Sequence, residues 1–390
     1  MRLGFILLCL SMSILAKPSI IRIDGATFRP LLIAVPDFKG SVELTRLARR
    51  QLELSGVFRV TEWAETGEEG LVTGKVTTKG SDIRVDIDIA KTTFAYTGKT
   101  SDTVRLSHKI ADDIYRYFTG EAGIFSSQIV AARRTTNGKQ IVIMDFDGSN
   151  PRQLTHASSI NMVPVIGPQS KEVYFTTYLN KNPDLYAVSV EGNNLRPIST
   201  KRGLNVGPSI SLDGRRMVLT LSKDGDSEIY AMDIDGKNLT RLTNSPGVDT
   251  SPSFSPDGEK IAFISARSGN PQVYLMNADG SSPKRLTFQG KYNQTPRFSP
   301  QGDVIVFMGR DEKNVFDIFT YDLTNKKIAR VTQGQGSNED PSFSPNGRMM
   351  VFTSTRDGGR DLYMSNIDGT FQKRITSDGP YWTPNWGPAT

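Results

Sequence analysis

The heptapeptide Pro252-Ser253-Phe254-Ser255-Pro256-Asp257-Gly258 decides the fold of this 390-residue chain, because it recurs. Its relatives are PSISLDG at 208–214, PRFSPQG at 296–302 and PSFSPNG at 341–347, with weaker copies PVIGPQS from 164 and PNWGP from 384. The leading prolines stand at 164, 208, 252, 296, 341 and 384, in steps of 44, 44, 44, 45 and 43 residues. Self-similarity at a fixed period of this length is the mark of one supersecondary unit used six times.

A second signature runs in phase with the first. QVYLMNADGSSPKRLT ends at Thr287, EIYAMDIDGKNLTRLT at Thr243 and DLYMSNIDGTFQKRIT at Thr376, with matching ends at Thr155, Ser199 and Thr332. Between the signatures lie short runs such as Ile261-Ala262-Phe263-Ile264 and Val304-Ile305-Val306-Phe307, apolar on both faces as a strand between two neighbouring sheets must be. Asp-Gly pairs at 147–148, 213–214, 235–236, 257–258, 279–280 and 368–369 supply the positive φ of tight hairpins. Each unit is therefore expected to be four antiparallel strands, and six such units predict a six-bladed β-propeller, whose closure protects sheet edges that a solenoid would expose. The offset between the signatures favours the ring. The unit ending at Thr155 lacks a proline heptapeptide ahead of it, and Tyr381–Pro388 begins one where the chain stops, so the C-terminal strand is expected to complete the first blade.

The remainder divides into a leader and a small domain. Arg2, the apolar run Leu3–Leu15 and Ala16 read as a secretory signal peptide over residues 1–16, which directs export. Cys9, the one cysteine, falls inside it, so a thiolate metal site or disulfide in the processed chain is excluded. Residues 17–120 lack the repeat and mix strands near Pro30–Val35 and Ile83–Ala90 with helices over Val42–Leu54, N-capped by Ser41, and near Leu106–Phe118. The expected organisation is a small N-terminal α/β domain at 17–120, opening on an extended arm at 17–29, followed by the all-β propeller at 121–390.

Charge and motif content exclude several functions. The net +6 comes from 47 basic and 41 acidic residues scattered along the chain, with no block that reads as a nucleic-acid arm. An enzyme, in the form of a propeller-type periplasmic hydrolase, is the alternative. Against it stand the absence of a G-x-S-x-G elbow and the presence of only two histidines, His108 and His156, expected to be solvent-facing or packed. No catalytic residue, cofactor or metal is assigned, although Asp249, Glu339 and Asp340 could together attract calcium near one tunnel mouth.

Ring symmetry places equivalent residues of the six units at one level. Three positions before each leading proline lie Asn161, Asn205, Asp249, Asn293, Asn338 and Tyr381, and next to them Met162, Val206, Thr250, Gln294, Glu339 and Trp382, which differ from unit to unit. Both sets are expected at the rim of one tunnel mouth, where variable chemistry on a fixed frame can recognise a partner. The bland reading of the first set is a turn entering the strand.

The leader, the arm SIIRIDGATFRPLLIAVPDF at 19–38, the junction FTGEAGIFSSQIVA at 118–131 and the six repeats together resemble TolB, the periplasmic component of the Tol-Pal system of Gram-negative bacteria. The resemblance covers essentially the whole chain. It implies a non-enzymatic, monomeric hub, peripheral to the membrane, that binds the lipoprotein Pal at the propeller mouth and TolA through the arm. Roles in outer-membrane integrity and cell division, and exploitation by colicins, are implied as well. Carried over by motif, Leu204, Asn205, Gly207 and Thr250 would meet Pal, and Ser19, Ile20, Ile21, Arg22, Ile23, Asp24 and Gly25 would meet TolA. The arm is shorter before Arg29-Pro30 than the family's familiar pattern.

Overall fold

The computed structural model describes residues 30–63, 69–310 and 312–389. The leader at 1–16 and the arm at 17–29, with all seven of its expected TolA contacts, lie outside the described residues.

In the N-terminal region, β1 (Leu31–Ala34) runs parallel to β2 (Phe58–Thr61) and β3 (Gly70–Lys79), and β4 (Asp82–Ile89) and β5 (Thr92–Lys99) extend the sheet antiparallel, in the order β2-β1-β3-β4-β5. The helix α1 (Val42–Leu54) begins at Ser41, whose hydroxyl accepts the Leu44 N–H at 3.2 Å. It buries Leu44, Ala48 and Leu52, the stripe that its 3.6-residue period dictates. The helix α2 (Thr103–Thr119) packs beside it through Leu106, Ile110 and Ile114 and ends on Gly120 at φ 74°.

Beyond α2 the regular elements among the described residues are all strands. Four sheets hold four strands each, in chain order from inner to outer edge, and a fifth holds eight. In that sheet Tyr381–Ala389 pairs antiparallel with Ser127–Thr135, which pairs with Gly138–Asp145, beside the short outer strand Arg152–Gln153. Its other half runs Ser159–Ile166, Glu172–Thr177, Asp184–Ser189, Arg196–Ser199. Only two parallel residue pairs, Gly138 with Ser159 and Lys139 with Ile160, join the halves. The arrangement is a β-propeller. Its central strands are buried on both faces, as at Ile261, Ala262, Phe263 and Ile264, because neighbouring sheets cover them.

The leading proline of each repeat marks a bulge. Thr250 lies opposite Ile264 and Ser253 opposite Ala262, so Ser251 and Pro252 together face the single residue Phe263. The same shift occurs in every inner strand. A bulge leaves one residue outside the ladder, which is where a proline without an N–H is tolerated.

The N-terminal region packs against the first and last sheets of the ring. One continuous core joins Tyr115 and Phe125 to Phe146, Met349, Leu362 and Trp386. Arg50 pairs with Asp147 at 3.1 Å, Arg348 pairs with Glu121, and Asn346 Nδ2 donates to the Ala122 carbonyl at 3.0 Å. Among the described residues no helix is long and apolar enough to cross a membrane.

Candidate binding surfaces along the tunnel

The residues that open each inner strand do not reach a partner. Asn161, Asn205, Asp249, Asn293, Asn338 and Tyr381 are all buried, Asn205, Asp249, Asn338 and Tyr381 completely. Asn205, Asn293 and Asn338 are spent on the preceding sheet, and Asn161 on the other half of the eight-stranded sheet. Asn293 Nδ2 donates to Gln272 Oε1 and to Thr287 Oγ1, both at 3.1 Å, while Thr287 Oγ1 donates to Gln272 Oε1 at 2.7 Å and accepts the Val273 N–H at 2.9 Å. Asn161 repeats this with Gln140 and Thr155, and Asn338 bonds Asp317, which Thr332 also bonds. Asn205 Oδ1 accepts from Ser199, Asp249 pairs with Arg267 at 2.7 Å, and the Tyr381 hydroxyl donates to Asp378. The expectation that these six side chains rim the mouth is corrected: buried polar groups must find partners, and these find Gln140, Ser199, Arg267, Gln272, Asp317 and Asp378.

The residues after them are less deeply buried. Val206, Thr250, Gln294, Glu339 and Trp382 are half-buried, as are Leu204 and Gly207. Thr250, Val206 and Gly207 line a tunnel cavity of about 120 Å³. Around that opening stand large apolar side chains exposed to solvent: Ile160, Val248 and Tyr292 immediately precede Asn161, Asp249 and Asn293, and Tyr178 and Leu179 lie beside Ile160. Phe288, 72 % exposed under the Arg285 guanidinium, belongs to the same loop as Tyr292.

Between the first and last blades the mouth is charged. Arg360 clasps Glu339 through two bonds of 2.8 and 3.0 Å, and Lys139 Nζ lies 4.0 Å from the centre of the Trp382 ring. Burial, then Arg360 and Arg134, push the Lys139 ammonium below its ordinary value. Of the three calcium ligands considered from sequence, Asp249 is paired with Arg267 and Glu339 with Arg360. Among the described residues no cluster of three or more His, Cys, Asp or Glu side chains could hold a metal.

One ring escaped the sequence reading. The residue directly before each proline adopts the left-handed conformation: Val163, Gly207, Ser251, Thr295, Asp340 and Thr383 have φ between 47° and 64°. All six line the tunnel cavity. For β-branched Val163, Thr295 and Thr383 this backbone is strained and is held by the bulge. Gly207 has open space where a Cβ would stand.

A profile of the TolB beta propeller domain matches residues 115–390 of this chain. The chain belongs to the TolB β-propeller family. The Tol-Pal system protein TolB of Paramagnetospirillum magneticum is 30% identical over 45% of this chain and 48% of its own length. That of Anaeromyxobacter sp. strain K is 36% identical over 44% and 47%. The chain thus spans about half the length of the curated relatives it matches. The crystal structure of TolB from Acinetobacter baumannii superimposes with a TM-score of 0.84 at 26% identity, covering 92% of this chain and 97% of that one.

Within this TolB-like frame one histidine lies in the N-terminal region and the other in the ring. His108 is buried in α2 with its ring edge-on to Phe146, and its Nε2 has no partner among the described residues. The His156 Nδ1 meets the Gln153 amide at 3.2 Å.

Proposed function

We propose that the chain is a non-enzymatic binding protein of the Tol-Pal system, held in the periplasm, with Pal engaged at the tunnel mouth around Thr250 and TolA by the segment Ser19–Gly25. In this reading the two halves of the eight-stranded sheet are separate blades, giving six in all. The observation that carries the proposal is the group of exposed apolar residues, Ile160, Tyr178, Leu179, Val248, Phe288 and Tyr292, gathered beside strand-opening Asn and Asp side chains that are buried and bonded within the ring. Exposed apolar side chains gathered on a rigid frame suit protein recognition, with their desolvation as the driving force.

The test is titration of the full chain with soluble Pal. Thr250→Arg, which projects a charge into the mouth, should weaken binding at least tenfold while the melting temperature stays within about 2 °C of the parent. An equal loss of binding and stability would show Thr250 to be structural, and full binding by the variant would move the site elsewhere. Deleting 17–25 should abolish capture by TolA and leave Pal binding intact.

A further inference from the structure

The tunnel has a second opening at the opposite end of the inner strands, where the repeats turn through corners such as Ser255-Pro256-Asp257-Gly258. There the wall widens into a funnel of about 470 Å³ whose outer lip is made of Pro256, Pro300, Pro345, Pro388 and the 70 % exposed Leu212. Arg297 is the one described residue that lines both this funnel and the 120 Å³ cavity behind the other mouth. It therefore forms the floor of the funnel.

Arg297 departs from a pattern that four of the six repeats keep. The residue just after the leading proline normally stitches its blade to the next by accepting a backbone N–H. Ser209 Oγ accepts from Phe254, Ser253 Oγ from Phe298, Ser342 Oγ from Trp386 and Asn385 Oδ1 from Ile166, at 2.9 to 3.2 Å. Val165 and Arg297 occupy the two positions that offer no acceptor. An arginine here surrenders a stitch to Phe343 and places a cation inside the ring. Among the described residues no hydrogen bond or ion pair holds its guanidinium. Burial pushes it below its ordinary value, and Asp340 acts in the opposite sense. A confined and uncommitted guanidinium is unfavourable in a structural role and well suited to an incoming anion.

The surroundings define the anion. Ser209, Ser253 and Ser342 use their oxygens as acceptors and keep their O–H groups free to donate into the tunnel at the level of Arg297. The single guanidinium, with Asp340 close behind it, suits a monoanion and disfavours a dianion such as phosphate. The proline and leucine lip suits an apolar chain behind that anion.

We propose that the funnel is a second binding site, which captures the free C-terminal carboxylate of a peptide whose last residues are apolar, with Arg297 as its anchor. The carboxylate meets the guanidinium and serine hydroxyls, and the preceding side chains rest on the lip. This is independent of the mouth around Thr250.

The experiment uses an array of immobilised random octapeptides with free C-terminal carboxylates, paired with the same sequences as C-terminal amides, probed with the full chain, Arg297→Gln and Arg297→Ser. A subset ending in apolar residues should bind as acids, bind at least tenfold more weakly as amides, and be lost with both variants. Arg297→Ser restores the stitching hydroxyl, so its melting temperature should equal or exceed the parent's, which separates loss of the anchor from loss of the fold. Absence of acid-selective binders, or binders indifferent to Arg297, would overturn the proposal. So would saturable binding of decanoate, dependent on Arg297, in place of any peptide, which would assign the funnel to fatty acids.

Discussion

The indole Nε1 of Trp386 donates to the hydroxyl of Ser127 at 2.8 Å, joining positions 259 residues apart where the last strand meets the first strand of the ring. Trp386 is buried, and its backbone N–H also bonds Ser342 of the preceding blade at 3.1 Å. The closing strand is thus fixed on both sides. Trp386→Ala should destabilise the chain by about 3–5 kcal/mol, as for other large buried aromatics. Deleting 381–390 should do more, since it bares the edge of Ser127–Thr135 and should give concentration-dependent aggregation in size-exclusion chromatography. A monomeric deletion variant with an unchanged melting temperature would refute this account of closure.

The polar clamp of each blade makes a second prediction. Thr287 Oγ1 donates to Gln272, accepts from the Val273 N–H and accepts from Asn293. Thr287→Val keeps the shape and removes all three bonds, leaving buried groups unpaired. The expected loss is roughly 2–4 kcal/mol in urea unfolding. A smaller change, within 0.5 kcal/mol, would mean that the clamp contributes no net stability.

Much of this was legible in the sequence because the repeat is written at positions where physics leaves little choice. Asp-Gly corners, apolar central strands and bulge prolines each have one structural meaning at a 44-residue spacing, and α1 is bounded by Ser41 and Leu54 as its pattern requires. The strands Gly70–Lys79 and Thr92–Lys99 were not foreseen, because Gly70, Gly74 and the runs of threonine blur the alternation. At the mouth, position along the strand was legible but orientation was not. A recurrent Asn looks the same in sequence whether it greets a partner or, like Asn293, closes a buried network, and only the paired Thr287 and Gln272 decide between them. Arg297 was hidden for the opposite reason: one arginine in a repeat of serines shows as variation until the hydrogen bonds of its equivalents are known.

Asp340 carries a pH signature. Burial first, and the neighbouring Glu339 second, push its carboxyl up to about 6. A carboxyl raised in the folded state holds its proton there more tightly than in the unfolded chain. Stability from this group is therefore greatest below the ordinary value of ~4 and declines as pH rises from about 4 to 6. Asp340→Asn removes the charge, so its stability relative to the parent should grow across that window and level off at roughly 2–3 kcal/mol near pH 7. A constant difference between pH 4 and pH 7 would contradict this.

His108 should act in the other direction. It lies between α2 and the first blade, on the wall of a cavity of about 550 Å³, with its Nε2 unpaired among the described residues. Burial depresses its pKa, outweighing Asp145, Asp147 and Asp112, each of which favours the proton. The folded state therefore resists protonation more than the unfolded chain, so stability is full above the ordinary histidine value of about 6.5 and falls as pH drops below it. His108→Leu keeps the contact with Phe146 and removes the titrating group. The parent should lose several degrees of melting temperature between pH 7.5 and 5.5, and the variant should lose clearly less. Because the charge would appear at the seam between the N-terminal region and the ring, hydrogen exchange in α2 should rise with acid in the parent and stay level in the variant. Parallel melting curves for the two proteins would show that the seam does not respond through His108.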